Sequence, residues 1–311
     1  MSENMMIETK RLTKSFGKLV AVNNLDLKVK KGEIHGFVGP NGAGKSTTLK
    51  LLVGAIKCTD GEGIVGGYPL GSKEVRRLIG YSPERPAFYG DMIAWDYMVH
   101  MAGLSGMPID RAEIKTHEIL DWLELSDFID TQVGGFSAGM KQRLSLAQAM
   151  IHEPELLILD EPTANLDPTG RISLLEKLKQ LPHERSITIF ISSHILSELE
   201  YLVDSVTFID KGQAVIEDTV QQLKQDMSLN HYVLNTTNNE FVFKELQGKD
   251  SVQEITLDND GIIHLLSDDM SVLQAVVMET VIRGEAMIKY FGKEQVKLED
   301  IYRKTVGQDK N

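Results

Sequence analysis

The chain has a single cysteine, Cys58, in 311 residues. One thiol cannot close an internal disulfide, so the fold must rest on its own core, and a reducing compartment is expected. No stretch approaches the run of about 20 apolar residues that a membrane-spanning helix needs. The start, Met1-Ser2-Glu3-Asn4, has neither the basic nor the apolar segment of a secretory leader. Positive charge is scarce as well: 33 Lys and Arg face 45 Asp and Glu, a formal net charge of −12. With no basic stripe, this balance argues against nucleic acid as the main partner, because backbone phosphates are bound by clustered cations. A membrane protein would have to be met through local contacts. Tandem repeats and low-complexity segments are lacking too. What remains is a soluble globular composition, long enough for one large domain and a small one.

Short apolar strands alternate with helical patterns through most of the chain. Ile7-Glu8-Thr9 and Leu25 to Val29 alternate apolar and polar side chains, as half-buried strands do. Ile34 to Val38 is a continuous apolar strand, and a helical pattern from Thr47 to Val53 ends at Gly54. From about Phe88 to Ser145 the strand signal disappears, which predicts a helical insert. Strands buried on both faces return at Leu156 to Leu159, Ile187 to Ile191 and Val206 to Ile209, the pattern of a parallel sheet. The character changes near Asp226 to Leu229. Beyond it, the order strand, helix, strand, strand, helix, strand is the ferredoxin-like pattern. The expected domains are therefore 1–225 and a small α+β domain, 226–311.

Gly39-Pro40-Asn41-Gly42-Ala43-Gly44-Lys45-Ser46 matches G-x-x-x-x-G-K-[ST], and Thr47 follows it. Glycines let the backbone turn so that N–H groups point at phosphate oxygens. The helix that follows aims its positive end at the same charge. Lys45 reaches the β- and γ-phosphates, and the Ser46 hydroxyl can ligate Mg²⁺. A chance match is expected in roughly one chain per hundred of this length, and here the loop also follows an apolar strand and opens a helix. The buried strand Leu156 to Leu159 ends in Asp160-Glu161, where Asp160 suits a Mg²⁺ partner and Glu161 can polarise an attacking water. Phe136-Ser137-Ala138-Gly139-Met140 opens a helix with Ser137 as N-cap. Ser192-Ser193-His194 puts His194 at another strand end; taken alone, such a histidine is more often structural.

These segments, in this order, resemble the nucleotide-binding domain of ABC-type ATPases over residues 6–217, roughly two-thirds of the chain. The resemblance implies an α/β P-loop NTPase fold with a mainly parallel core sheet, an N-terminal antiparallel β-region and a helical insert. It also implies ATP and Mg²⁺ as cofactors, and a dimer in which each site joins one partner's phosphate loop to the other's signature segment. On that footing Phe16 is similar to the aromatic that stacks on adenine, and Ser137 and Gly139 to the signature donors. Asp160 resembles the magnesium-site aspartate, Glu161 the catalytic base, Asp167 the loop linking two sites, and His194 the switch histidine. The signature departs from the commonest Leu-Ser-Gly-Gly-Gln form, and Glu84 stands where many members carry glutamine. Glu84 keeps an oxygen for Mg²⁺ but adds a negative charge. Both departures resemble the branch that pairs with separate membrane subunits, mostly in export.

The leading expectation is therefore an ATPase subunit, peripheral on the cytoplasmic face of the membrane. It would work with a membrane-spanning permease and a second nucleotide-binding subunit, identical or different. Docking is expected at the insert near Glu84 to Met101, where Trp95 and the surrounding apolar side chains either help form the groove or serve ordinary packing of the insert. A soluble ATPase acting on DNA or ribosomes would usually carry a long coiled coil or tandem nucleotide domains, and neither is visible. A nucleotide-sensing regulatory subunit would not need Lys45, Asp160, Glu161 and His194 together. By the same resemblance the chain ends in a small α/β extension, closed by a helix around Leu298 to Tyr302. Such a domain could stabilise the dimer, regulate it or bind a ligand, and a dimerisation appendage is the plainest of these readings.

Overall fold

The computed structural model describes residues 4–228, 230–294 and 296–306. They form two compact units: residues up to Val220 together with Thr305 and Val306, and Gln221–Lys304.

In the first unit, β1 (Met5–Phe16) and β2 (Leu19–Lys30) make a long antiparallel hairpin. The expected strands at Ile7 and Leu25 are only fragments of it. Arg11 and Asn24 sit at positive φ, 47° and 48°, and the pairing register shifts along the hairpin. Such bulges reset the two-residue alternation on which strand reading depends. After β3 (Ile34–Val38), buried throughout, come the glycine-rich loop and α1 (Lys45–Leu52). Gly54, at φ 70°, stops this helix, its N–H donating to the Leu51 carbonyl at 3.0 Å. Next, β4 (Asp60–Val65) and the short β5 (Tyr68–Pro69) complete a four-stranded sheet ordered β2-β1-β4-β5.

Ser72 caps α2 (Lys73–Leu78), which leads into β6 (Ile79–Ser82). The insert consists of α3 (Ala94–Leu104), α4 (Ile109–Trp122) and α5 (Ala138–Met150), with single 3-10 turns at Ser126–Phe128 and Val133–Gly135. The chain re-enters the core as β7 (Leu156–Asp160), then α6 (Pro168–Arg185), β8 (Thr188–Ser192), α7 (Leu196–Leu202), β9 (Ser205–Asp210) and β10 (Gln213–Thr219). The core sheet runs β10-β9-β3-β8-β7-β6, parallel except for the β9–β10 hairpin. Between it and the antiparallel sheet lies a core that includes Leu27, Phe37, Leu49, Ile158 and Phe190.

The unit boundary falls after the first residue of α8 (Val220–Ser228), five residues before the one expected from the sequence. Leu229, the other end of the expected change, lies outside the described residues. The second unit follows with β11 (His231–Thr236), α9 (Asn239–Leu246), β12 (Glu254–Leu257), β13 (Ile263–Leu266), α10 (Met270–Arg283) and β14 (Ile288–Lys293), before α11 (Leu298–Val306). Its sheet, ordered β12-β13-β11-β14 and antiparallel at every pairing, has the ferredoxin-like topology. Leu234, Val242, Leu265 and Val277 pack in its core. Among the described residues, no helix is long and apolar enough to cross a membrane.

Close approach of helix to sheet has one sharp requirement. A Cβ on Gly80 of β6 would lie 2.0 Å from the Ala149 carbonyl oxygen of α5 and 2.8 Å from Leu157 Cδ2. Because the first obstacle is backbone, Gly80→Ala should destabilise the protein by about 1–3 kcal/mol. A urea unfolding midpoint equal to that of the parent would show that α5 is not held this tightly.

Candidate functional site

Three strands of the core sheet end side by side, and the site is built on their ends. β8 lies between β3 and β7, with Ser192 paired to Phe37 on one side and to Asp160 on the other. Past β3, the loop turns tightly enough that two of its glycines leave no room for a side chain. A Cβ on Gly39 would sit 2.3 Å from the Ile209 carbonyl oxygen, and one on Gly44, at φ 107°, 2.4 Å from that of Ala21. The loop then enters α1, whose first N–H groups have no acceptor within the helix and face outward. Lys45 is buried, and its ammonium donates to the carbonyls of Gly39 at 2.6 Å and Pro40 at 3.3 Å. Burial pushes its pKa down, while Glu161, Asp160 and Glu84 work against the shift.

Both strand-end carboxylates are buried. Asp160 accepts a 2.5 Å hydrogen bond from the Ser192 hydroxyl, which fixes one of its oxygens. Its charge and burial together push the Tyr81 phenol up to about 12, burial being the larger cause. Glu161 takes a left-handed backbone, φ 50°, and its N–H donates to the Ser192 carbonyl at 3.0 Å. That conformation costs a non-glycine residue strain, of the kind found at functional sites. The Glu161 carboxyl is hydrogen-bonded to His194 Nδ1 at 2.8 Å and accepts from the His194 backbone N–H at 3.4 Å. Burial raises the Glu161 pKa; His194 and Lys45 hold it partly down.

These groups surround a cavity of about 520 Å³ lined by Leu19, Val20, Ala21, Pro40, Asn41, Gly42, Gly44, Lys45, Ser46, Thr47, Glu84, Asp160, Glu161 and Lys211. Of the expected residues, Gly39 and Ala43 stand behind the wall, Gly39 against Ile209 and Ala43 in the core. Phe16 stands at the end of β1, 51% exposed, with the Lys14 ammonium 5.0 Å from its ring centre. It is paired with Leu19, which does line the cavity. His194 reaches the cavity only through Glu161. Ser137, Gly139 and Asp167 do not line it: Ser137 caps α5 by accepting from the Met140 N–H at 3.2 Å, and Asp167 is the exposed N-cap residue of α6. Leu19, Val20, Ala21 and Lys211 were not expected. They reach the wall through pairing of the β1–β2 and β9–β10 hairpins with distant parts of the chain, which no local motif displays.

A glycine-rich loop at the end of a central parallel strand, with a lysine closing it and carboxylates on a second strand end, defines a P-loop nucleotide-binding protein of the α/β class. Comparison with known proteins gives the family. The ABC transporter domain family matches residues 22–164. The uncharacterised ABC transporter ATP-binding protein YxlF of Bacillus subtilis is 34% identical over 302 residues, 97% of this chain and 99% of that protein. The bacitracin transport ATP-binding protein BcrA of Bacillus licheniformis is 40% identical over 265 residues, covering 84% and 85%. A solved ATP-binding subunit of an ABC transporter superposes with a TM-score of 0.66 at 28% identity, over 72% of this chain and 94% of its own. The chain belongs to the ATP-binding proteins of the ABC transporter family.

The raised pKa of Glu161 has a definite consequence for stability. A carboxyl that is harder to ionise folded than unfolded lowers stability as pH climbs above its unfolded value, and the loss is complete above its folded value. Its ordinary value is 4.5. Glu161→Gln should therefore be more thermostable than the parent at about pH 8, with the difference vanishing below about pH 4. An advantage that grew toward acid pH would mean that the folded protein favours the ionised form.

Proposed function

We propose that this chain is the ATP-hydrolysing subunit of an ABC exporter, in which ATP-driven closure of two nucleotide-binding subunits drives a separate membrane-spanning permease. The observation that carries the reading is the setting of Glu161. It is buried at the cavity wall on a strained backbone, hydrogen-bonded to His194, and in one pocket with Lys45, Ser46 and Asp160.

The loop N–H groups and Lys45 bind the phosphates, with Lys45 giving up its bonds to the Gly39 and Pro40 carbonyls for stronger ones to phosphate oxygens. Leu19, Val20 and Ala21 form the apolar wall toward the base, with Phe16 beside them as the stacking ring. Glu161 accepts the proton of the attacking water as general base, and His194 holds its carboxylate in position. Among the described residues, no three His, Cys, Asp or Glu side chains converge as a metal site, so a cation would arrive with the nucleotide. The oxygens of Ser46, Asp160 and Glu84 are the hard donors that Mg²⁺ takes, and they line the same wall. When bound, Mg²⁺ would neutralise charge on the β- and γ-phosphates.

Ser137 and Gly139 stand away from this chain's own cavity, which supports their service to a second subunit's site, with Asp167 linking the two. The insert is the proposed permease contact, where Tyr89 and Leu104 are exposed and Trp95 is half-buried. On this reading the protein works at the cytoplasmic face of the membrane. The transport named for the bacitracin relative supports this reading over a role on DNA or ribosomes.

Glu161→Gln should leave ATP binding intact, lower the hydrolysis rate by at least about a hundredfold, and accumulate an ATP-dependent dimer detectable by analytical ultracentrifugation. Turnover close to that of the parent would remove Glu161 as the base.

A further inference from the structure

Strands β9 and β10 are joined by only two residues, Lys211 and Gly212, between the paired Asp210 and Gln213. Both have positive φ, 46° and 81°. Two left-handed residues at the tip of a hairpin form the type I′ turn, whose first position favours Asn, Asp or Gly. A lysine there carries a steric cost that those residues largely avoid.

The turn is wedged into the site. Gly212 donates its N–H to the Ala43 carbonyl of the phosphate loop at 2.9 Å, and its own carbonyl accepts from the Asn23 N–H of β2 at 2.9 Å. A Cβ on Gly212 would lie 2.9 Å from the Ala21 carbonyl oxygen and 3.0 Å from Val22 Cα. Backbone on both sides therefore fixes the position from which Lys211 departs. Its side chain, 75% exposed, extends along the cavity wall, and Asp210 Oδ2 is 3.9 Å from the ammonium. An ion pair of that length in water is weak.

The residues lining the cavity carry three carboxylates, Glu84, Asp160 and Glu161, and two ammonium groups, Lys45 and Lys211. Lys45 is held by the carbonyls of Gly39 and Pro40. Lys211 is anchored where the phosphate loop meets β2, between the groups that hold phosphates and the apolar wall that faces the base. In a chain of net charge −12, a cation at that junction offsets the field that would otherwise repel a polyanion.

We propose that Lys211 is a nucleotide-binding residue whose ammonium meets the phosphate nearest the ribose, the α-phosphate, and that the turn keeps a lysine there at the expense of its own stability. The inference rests on the reading of this cavity as the ATP site. It predicts opposite effects of one substitution on stability and on binding, which a purely structural lysine would not produce.

The experiment uses the full chain carrying Lys211→Asn or Lys211→Arg. Binding of ATP, ADP, AMP and adenosine is measured by displacement of a fluorescent ATP analogue at low and high salt, alongside thermal unfolding. The Asn variant should unfold at a higher temperature than the parent. At low salt it should bind ATP, ADP and AMP about three- to tenfold more weakly, by one common factor, with a smaller deficit at high salt. Adenosine should bind unchanged, and the Arg variant should keep most of the parent's affinity. An Asn variant with unaltered phosphate-nucleotide affinity overturns the role of Lys211 and leaves the ATP site standing. A loss confined to ATP overturns the α-phosphate placement. A parent protein that does not bind ATP would instead remove the reading on which the inference rests.

Discussion

The parallel register of β3, β8 and β7 holds the chemical groups of the site in place. Ser192 of β8 is paired with Phe37, one residue before the end of β3, and with Asp160, the last residue of β7. Through its hydroxyl it also fixes an Asp160 oxygen, and through its carbonyl it accepts the Glu161 N–H. The phosphate loop and the two carboxylates are separated by more than a hundred residues of sequence, yet they are neighbours because β8 lies between their strands. A slip of one residue in any of these pairings would turn the carboxylates to the wrong face. The strands carry apolar side chains on both faces, and burial makes such a slip costly.

That framework holds charge where burial opposes it. Lys45 and Glu161 are each shifted toward their neutral forms, chiefly by burial, and each is partly rescued by the other. Lys45 turns its ammonium onto loop carbonyls, a bond that a phosphate can replace with a stronger one. Glu161 is strained as well as buried. Strained backbone and poorly solvated charge both lower stability, and the buried Lys45 ammonium is the one of these that a bound phosphate would directly compensate.

Much of this was legible in the sequence because the site is written in short local motifs. Gly39 to Thr47 and Asp160-Glu161 each follow an apolar strand, and a strand buried on both faces reads clearly because its apolar residues are consecutive. The β1–β2 hairpin was legible only in fragments, since the left-handed Arg11 and Asn24 break its alternation. The link from Ser192 to Asp160 and the approach of Lys211 to the cavity were not legible at all. Both depend on pairings between segments far apart in the chain. Lys211-Gly212 is not one of the usual hairpin dipeptides, and nothing near it tells which loop it will touch. In the C-terminal unit, turns at Gly248 and Gly261 delimit strands that match their expected positions to within two residues.

The proposed dimer completes the cavity of one subunit with Ser137 of another. Its direct test is to mix two variants of the purified chain, Lys45→Ala and Ser137→Arg, and measure ATP hydrolysis under conditions where subunits exchange. Each variant alone has two broken composite sites and should be inactive. A mixed dimer joins the intact loop of one to the intact serine of the other, so the equimolar mixture should recover about a quarter of parental activity, half the dimers being mixed with one working site of two. Full activity of Ser137→Arg alone, or no recovery once mixed dimers are shown to form, would contradict the account.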